Sequence, residues 1–119
     1  GVIIVATGLG NLPTSEIDEF TKEHTRILKA IETLVKKNVA VAIAPETIHG
    51  RIMLTVYENQ RPLLNYGVLG NESDMTPETS FIKLAWLLSN YKKEDVCKLY
   101  GLNLRGELSE RITSDMFEE

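Results

Sequence analysis

Two apolar runs frame the first third of the chain. Val2-Ile3-Ile4-Val5-Ala6 and Val39-Ala40-Val41-Ala42-Ile43-Ala44 carry no polar alternation, the pattern of strands buried on both faces of a parallel sheet. Between them Ile27, Leu28, Ile31, Leu34 and Val35 recur at helical spacing and define one apolar face of a helix from about Glu23 to Lys37. Lys36 and Lys37 suit the negative end of that helix, and Asn38 suits a left-handed cap. Strand, helix and strand with tight joints form a βαβ unit. The expected fold class is therefore α/β: a three-layer, Rossmann-like or flavodoxin-like parallel sheet with flanking helices, in a single domain over 1–119.

The second half is less regular. Ile52 to Tyr57 is β-branched and aromatic enough for a short strand, and Arg61 to Tyr66 reads as a short helix stopped by Gly67. Gly70-Asn71-Glu72-Ser73 reads as a turn. Thr76-Pro77-Glu78 is a helix start, with Thr76 as N-cap, Pro77 in the first helical position and an acid in the first turn. The helix it opens holds Phe81, Ile82, Leu84, Ala85, Trp86, Leu87 and Leu88, apolar around most of its girth. It is expected to be a central packing element with Trp86 as its largest anchor. A last helix, about Lys93 to Tyr100, is expected to bury Val96, Cys97, Leu99 and Tyr100. Thr14 or Ser15 is expected to cap a helical turn, and the tail Asp115–Glu119 to fray.

Composition narrows the function classes. The chain has 119 residues and a net charge of −4, which argues against a nucleic-acid-binding stripe. No apolar stretch approaches the roughly 18 residues of a membrane span, and no signal-peptide pattern leads the chain. A single cysteine, Cys97, cannot form an internal disulfide, which fits a reducing cytoplasm. Two histidines and one cysteine leave little from which to build a zinc site, so no metal and no cofactor is expected in this domain.

The first run breaks into Thr7-Gly8-Leu9-Gly10-Asn11. Open α/β sheets bind their ligands at the carboxyl ends of strands, and the loop Glu46–Arg51 after the second run emerges at the same sheet edge. A dinucleotide fingerprint would need glycine or alanine at position 13, where Pro13 stands. Two readings of Gly8 and Gly10 remain: a tight turn, or a loop that contacts a small polar ligand through its backbone and the Asn11 carboxamide. His24 reads as a surface residue and His49 as part of a loop. No serine or cysteine beside His49 forms a recognisable nucleophile pair.

These segments resemble the C-terminal domain of the L-asparaginase family. Thr7-Gly8-Leu9-Gly10-Asn11 is similar to the family's TGxGN-type loop. Asp74-Met75-Thr76-Pro77-Glu78, followed by Ile82-Lys83-Leu84-Ala85-Trp86-Leu87-Leu88, is similar to its DMTPE…VKLxWLL helix. Thr47-Ile48-His49-Gly50-Arg51-Ile52, Val56-Tyr57…Arg61-Pro62-Leu63-Leu64 and Gly106-Glu107-Leu108-Ser109-Glu110-Arg111 resemble one branch, the D-type subunit of archaeal glutamyl-tRNA(Gln) amidotransferase. Three positions depart from that branch: Asn11 stands where it often has His, His49 where it has an aromatic residue, and Gln60 where it has Gly.

The resemblance implies a division of labour. The family's catalytic threonines, aspartate and lysine lie in TGGT- and TDT-type motifs of a larger N-terminal domain, and neither motif occurs here. No catalytic residue is therefore expected in this chain. The domain is expected to complete a neighbouring active site and a homodimer interface, with Asn11 as the substrate-side contact and Gly8 and Gly10 shaping its loop. The whole protein would release ammonia from glutamine or asparagine for the E-type subunit of the amidotransferase, which activates the misacylated tRNA with ATP and magnesium; tRNA would be met only through that complex. The resemblance also implies that a strand and helix of the domain precede Val2, so that the chain as given starts within the domain.

Overall fold

The computed structural model describes residues 1–111 and 113–117, Met116 and Phe117 by backbone alone. Strand β1 (Val2–Ala6) is followed by helix α1 (His24–Lys36) and strand β2 (Val41–Pro45); helices α2 (Arg61–Tyr66), α3 (Pro77–Asn90) and α4 (Lys93–Tyr100) complete the fold. The two strands pair in parallel, with Val2 opposite Val41 and Ala6 opposite Pro45. Beyond β2 a parallel bridge joins Ala42 to Leu69, through Ile43 N–H to the Leu69 carbonyl at 2.9 Å and Leu69 N–H to the Val41 carbonyl at 2.9 Å. The sheet thus runs β1, β2, Leu69.

Strand alternation divides the core into two layers. On one face Ile4, Ala6, Val41 and Ile43 pack with Ile31 and Leu28 of α1 and Leu63 of α2. On the other, Ile3, Ala40 and Ala42 pack with Leu84 and Leu87 of α3 and Val96 and Tyr100 of α4. The expected three-layer α/β arrangement is present. Its helix ends follow their sequence signals: Thr76 Oγ1 accepts the Thr79 N–H at 3.3 Å, Gly67 is left-handed at φ 89°, and Asn38 at φ 65° lets Asn38 N–H and Val39 N–H reach back to Val35 and Leu34.

Several expectations are corrected. β1 is not buried on both faces: Val5 is 49% exposed, and among the described residues β2 is the one strand that pairs with it. Ile52–Tyr57 is not a strand; turn and bend from Leu54 to Tyr57 lead into a 3-10 turn at Glu58–Gln60. Trp86 is 50% exposed, because the inner face of α3 is Ser80, Lys83, Leu84 and Leu87. That stripe leaves Trp86 outside, edge-on to Tyr91 with ring centroids 5.6 Å apart. Cys97 is exposed, one position beyond the buried Val96. Thr14 caps no helix; it is buried, and its hydroxyl donates to the Asn59 carbonyl at 3.1 Å. His24 is half-buried, with Nδ1 3.2 Å from the Ser15 carbonyl. Ser114–Phe117 forms a 3-10 turn where fraying was expected, and Glu118 and Glu119 lie outside the described residues.

The segment after α4 is tied down by charge. Lys83 Nζ, from the inner face of α3, donates to the Leu102 carbonyl at 2.5 Å and pairs with Glu107 at 2.6 Å, the two side chains 6% and 15% exposed. Glu107 also accepts the N–H groups of Leu104 at 3.1 Å and Arg105 at 2.6 Å. Asp74 Oδ1 accepts the Ser109 N–H at 3.0 Å.

The open edge of β1 has a measurable consequence. A shallow apolar depression of about 200 Å³ lies beside it, lined by Gly1, Ile3, Phe81, Leu84, Ala85 and Leu88, and Phe81 is 61% exposed. Unpaired strand edges flanked by apolar surface associate. The isolated 119-residue chain is expected to run above its 13.4 kDa monomer mass in size exclusion with light scattering; a clean monomer at high concentration would count against this.

Candidate functional site

The carboxyl ends of both strands meet at one edge, where Glu46 N–H donates to the Ala6 carbonyl at 2.9 Å. There the chain turns through Thr7–Asn11. Gly8 (φ 51°) and Gly10 (φ 107°) take backbone angles that other residues rarely adopt. The N–H groups of Gly10 and Asn11 both bond back to the Thr7 carbonyl, at 3.0 and 2.8 Å, and Thr7 and Asn11 form an antiparallel bridge. These two amides are spent within the turn, and the loop also carries the Asn11 carboxamide. It is half-buried, with Nδ2 3.3 Å from where a Gly8 Cβ would stand. The first of the two sequence readings of the glycines, a tight turn, is present.

The loop rests on the segment Arg51–Leu54. Gly10 approaches Leu54 and Ile52 so closely that a Cβ would lie 2.9 and 3.1 Å from their side chains. Met53 N–H donates to the Leu9 carbonyl at 2.8 Å. Behind, Ile52 exchanges backbone bonds with Ser73 and Glu72 at 2.9 and 2.8 Å, and Leu54 N–H donates to Asn71 Oδ1 at 2.9 Å. The loop's exit is held by Gln60, whose Nε2 donates to the Leu12 carbonyl at 3.3 Å. Gln60 and Asn71 were not singled out for the site from sequence. Their signal was faint: polar residues beside turns, one of them departing from the resembled branch.

The second sheet-edge loop takes a different direction. His49 is exposed, while Arg51 turns to the C-terminal segment, its Nη2 3.4 Å from the Ser109 carbonyl. A cleft of about 470 Å³ lies there, lined by Arg51, Asn71, Ser73, Tyr100, Asn103 and Ser109 among others and by no residue of the glycine loop. Burial pushes the Tyr100 phenol up, and the neighbouring Ser80 hydroxyl acts in the opposite direction. Among the described residues no group of His, Cys, Asp and Glu is arranged to hold a metal ion, and no helix is long and apolar enough to cross a membrane.

A parallel α/β domain with a glycine loop at its strand ends, and the DMTPE helix start behind it, defines the class. The Glutaminase/Asparaginase C-terminal domain family matches residues 1–99, and the chain belongs to that family. It is similar to the D-type subunit of glutamyl-tRNA(Gln) amidotransferase from Pyrobaculum aerophilum, 35% identical over 111 residues, 93% of this chain and 24% of the relative. The same protein of Pyrococcus abyssi is 36% identical over 118 residues, 98% of this chain and 24% of the relative. Among solved structures, L-asparaginase I from Vibrio cholerae superposes with a TM-score of 0.71 at 29% identity, over 90% of this chain and 30% of that one. The thermostable L-asparaginase from Thermococcus kodakarensis, at 24% identity and a TM-score of 0.74 over 92% of this chain and 30% of that one, shares the fold. The chain spans about a quarter of the length of the curated relatives it matches.

Proposed function

We propose that this chain is the C-terminal domain of the glutaminase/asparaginase-like subunit of a tRNA-dependent amidotransferase, the cytoplasmic enzyme that converts Glu-tRNA(Gln) to Gln-tRNA(Gln). The observation that carries this reading is the likeness to the amidotransferase's D-type subunit over nearly the whole chain, including the branch-type Arg51 loop and the Gly106–Arg111 ending. In the full-length protein, threonine, aspartate and lysine of an N-terminal domain hydrolyse the amide. This domain completes the neighbouring active site and the homodimer interface, and the E-type subunit uses the ammonia on the activated tRNA. By itself the domain is inactive.

Within that site the Asn11 carboxamide reads the substrate. An amide offers two donors and an acceptor without changing its protonation state, which suits recognition of an amino acid's polar groups while the chemistry is done elsewhere. Replacing Asn11 by alanine in the full-length protein is expected to lower kcat/KM for glutamine roughly tenfold, the scale of one lost hydrogen bond to a charged group, with the melting temperature unchanged. Unchanged kinetics would remove Asn11 from the site.

A second reading is the corresponding domain of a cytoplasmic type I L-asparaginase, favoured by Asn at position 11 and by the likeness to L-asparaginase I. A third, a stand-alone α/β module binding a small amino acid through Thr7–Asn11, requires tight binding of glutamine or aspartate to the isolated chain in calorimetry.

A further inference from the structure

The structure assigns to Asn71 the positioning of the glycine loop. The turn that carries it is fixed at both ends. Gly70 before it (φ 100°) lies so close to β2 that no side chain fits, and Glu72 after it is held at φ 67°, an unusual angle for a residue with a side chain. Ser73 N–H closes the turn on the Gly70 carbonyl at 3.1 Å. Anchored in this way, Asn71 places its Oδ1 2.9 Å from the Leu54 N–H.

That bond replaces one the sheet does not provide. Ile52–Leu54 lies beside the core with Ile52 and Leu54 fully buried, yet it belongs to no strand ladder. A buried N–H without an acceptor is costly, and the Asn71 side chain supplies the acceptor where a neighbouring strand would have supplied a carbonyl. The same residues seat the loop: the Leu54 and Ile52 side chains meet Gly10, and Met53 N–H holds the Leu9 carbonyl. A continuous path therefore runs from β2 through Gly70 and Asn71 to Leu54, then to Gly10 and the Asn11 carboxamide. Asn71 acts on substrate through Asn11; the consequence for glutamine rests on the function proposed above, while the placement of the loop does not.

The test uses the full-length protein, with hydrogen–deuterium exchange over residues 7–11 and 52–54 read alongside glutamine kinetics. Asn71→Ala is expected to speed exchange in both segments and to raise the glutamine KM, each roughly five- to tenfold, the equivalent of one hydrogen bond, with kcat little changed. Asn71→Asp keeps the acceptor oxygen and is expected to restore both. Asn71→Ser, whose oxygen falls one bond short, replaces the alanine variant if that does not fold. Unchanged exchange in residues 7–11 overturns the inference. Faster exchange with an unchanged KM overturns it too, as a purely structural role would have that result. Asn11→Ala measured in parallel then distinguishes the two readings: if it raises KM, only the role of Asn71 has failed, and if it does not, the substrate-side reading has failed.

Discussion

Replacing Gly70 by alanine is expected to be the most damaging single-methyl change in the domain. Gly70 sits at φ 100°, and a Cβ built on it would stand 2.3 Å from the Ile43 carbonyl oxygen. The obstacle is backbone in the middle of β2, so no rotamer change relieves it. Moving Gly70 away would pull Leu69 from its parallel bridge, whose two hydrogen bonds flank Ala42. Moving β2 would disturb both core layers at once. The expected loss is about 3 kcal/mol or more, combining a steric overlap in a packed core with a disfavoured backbone angle. Gly67 is the natural control. It too is left-handed, at φ 89°, but a Cβ there meets nothing within 4 Å, so Gly67→Ala carries only the conformational cost, about 1 kcal/mol. Urea unfolding of the two variants separates the contributions; equal losses would contradict the close approach at Gly70.

The second large effect is expected at Lys83. Its ammonium is almost wholly buried, between Glu107 and the Leu102 carbonyl and 5.8 Å above the Tyr100 ring. Truncation to methionine keeps the packing but leaves the Glu107 carboxylate without its cation, a loss of about 3 kcal/mol for a buried pair broken on one side. Replacing both partners, Lys83→Met with Glu107→Gln, is expected to recover part of it. Acid provides a second readout. Burial pushes the Glu107 carboxyl up, but the Lys83 hydrogen bond and the backbone N–H groups of Leu104 and Arg105 together outweigh it, taking it from 4.5 to about 2. A depressed carboxyl pKa contributes stability that is complete above about 4.5 and is lost as pH falls toward 2. In Lys83→Met the folded carboxyl lies closer to its unfolded value, so that acid-dependent loss is expected to be smaller or absent. Denaturant melts from pH 7 to pH 3 with the same acid profile in both proteins would place the stabilisation elsewhere.

Much of the architecture was legible from local patterns. The two apolar runs, the 27-28-31-34-35 stripe, the Thr76-Pro77-Glu78 start and Gly67 each specify an element through a nearby physical cause, and each appears where its cause lies. The misreadings share a different origin. Trp86 looked like an anchor because the helix around it is apolar almost throughout; only the placement of Ser80, Lys83, Leu84 and Leu87 against the sheet decides which apolar side chains are covered. Val5 looked buried because a strand's own sequence does not state how much of each face its neighbours cover. Ile52–Tyr57 has strand composition, yet its backbone partners are the glycine loop, a turn and an asparagine side chain. At the candidate site the loop Thr7–Asn11 was readable from two glycines after a strand. Its supports were not, since Gln60 lies 48 positions from Leu12 and Asn71 17 positions from Leu54. The burial of Lys83 was hidden as well, because its partner Glu107 lies on a segment with no periodic pattern at all.

The proposed site is a shared one, in which Asn11 faces chemistry supplied by another domain. The most decisive measurement is a crystal structure of the full-length protein with glutamine bound at the threonine proposed to be its nucleophile. The Asn11 carboxamide of this domain is then expected within hydrogen-bond distance of the ligand, about 3 Å. A closed site with Asn11 facing solvent, and the ligand's polar groups satisfied without it, would contradict the shared site.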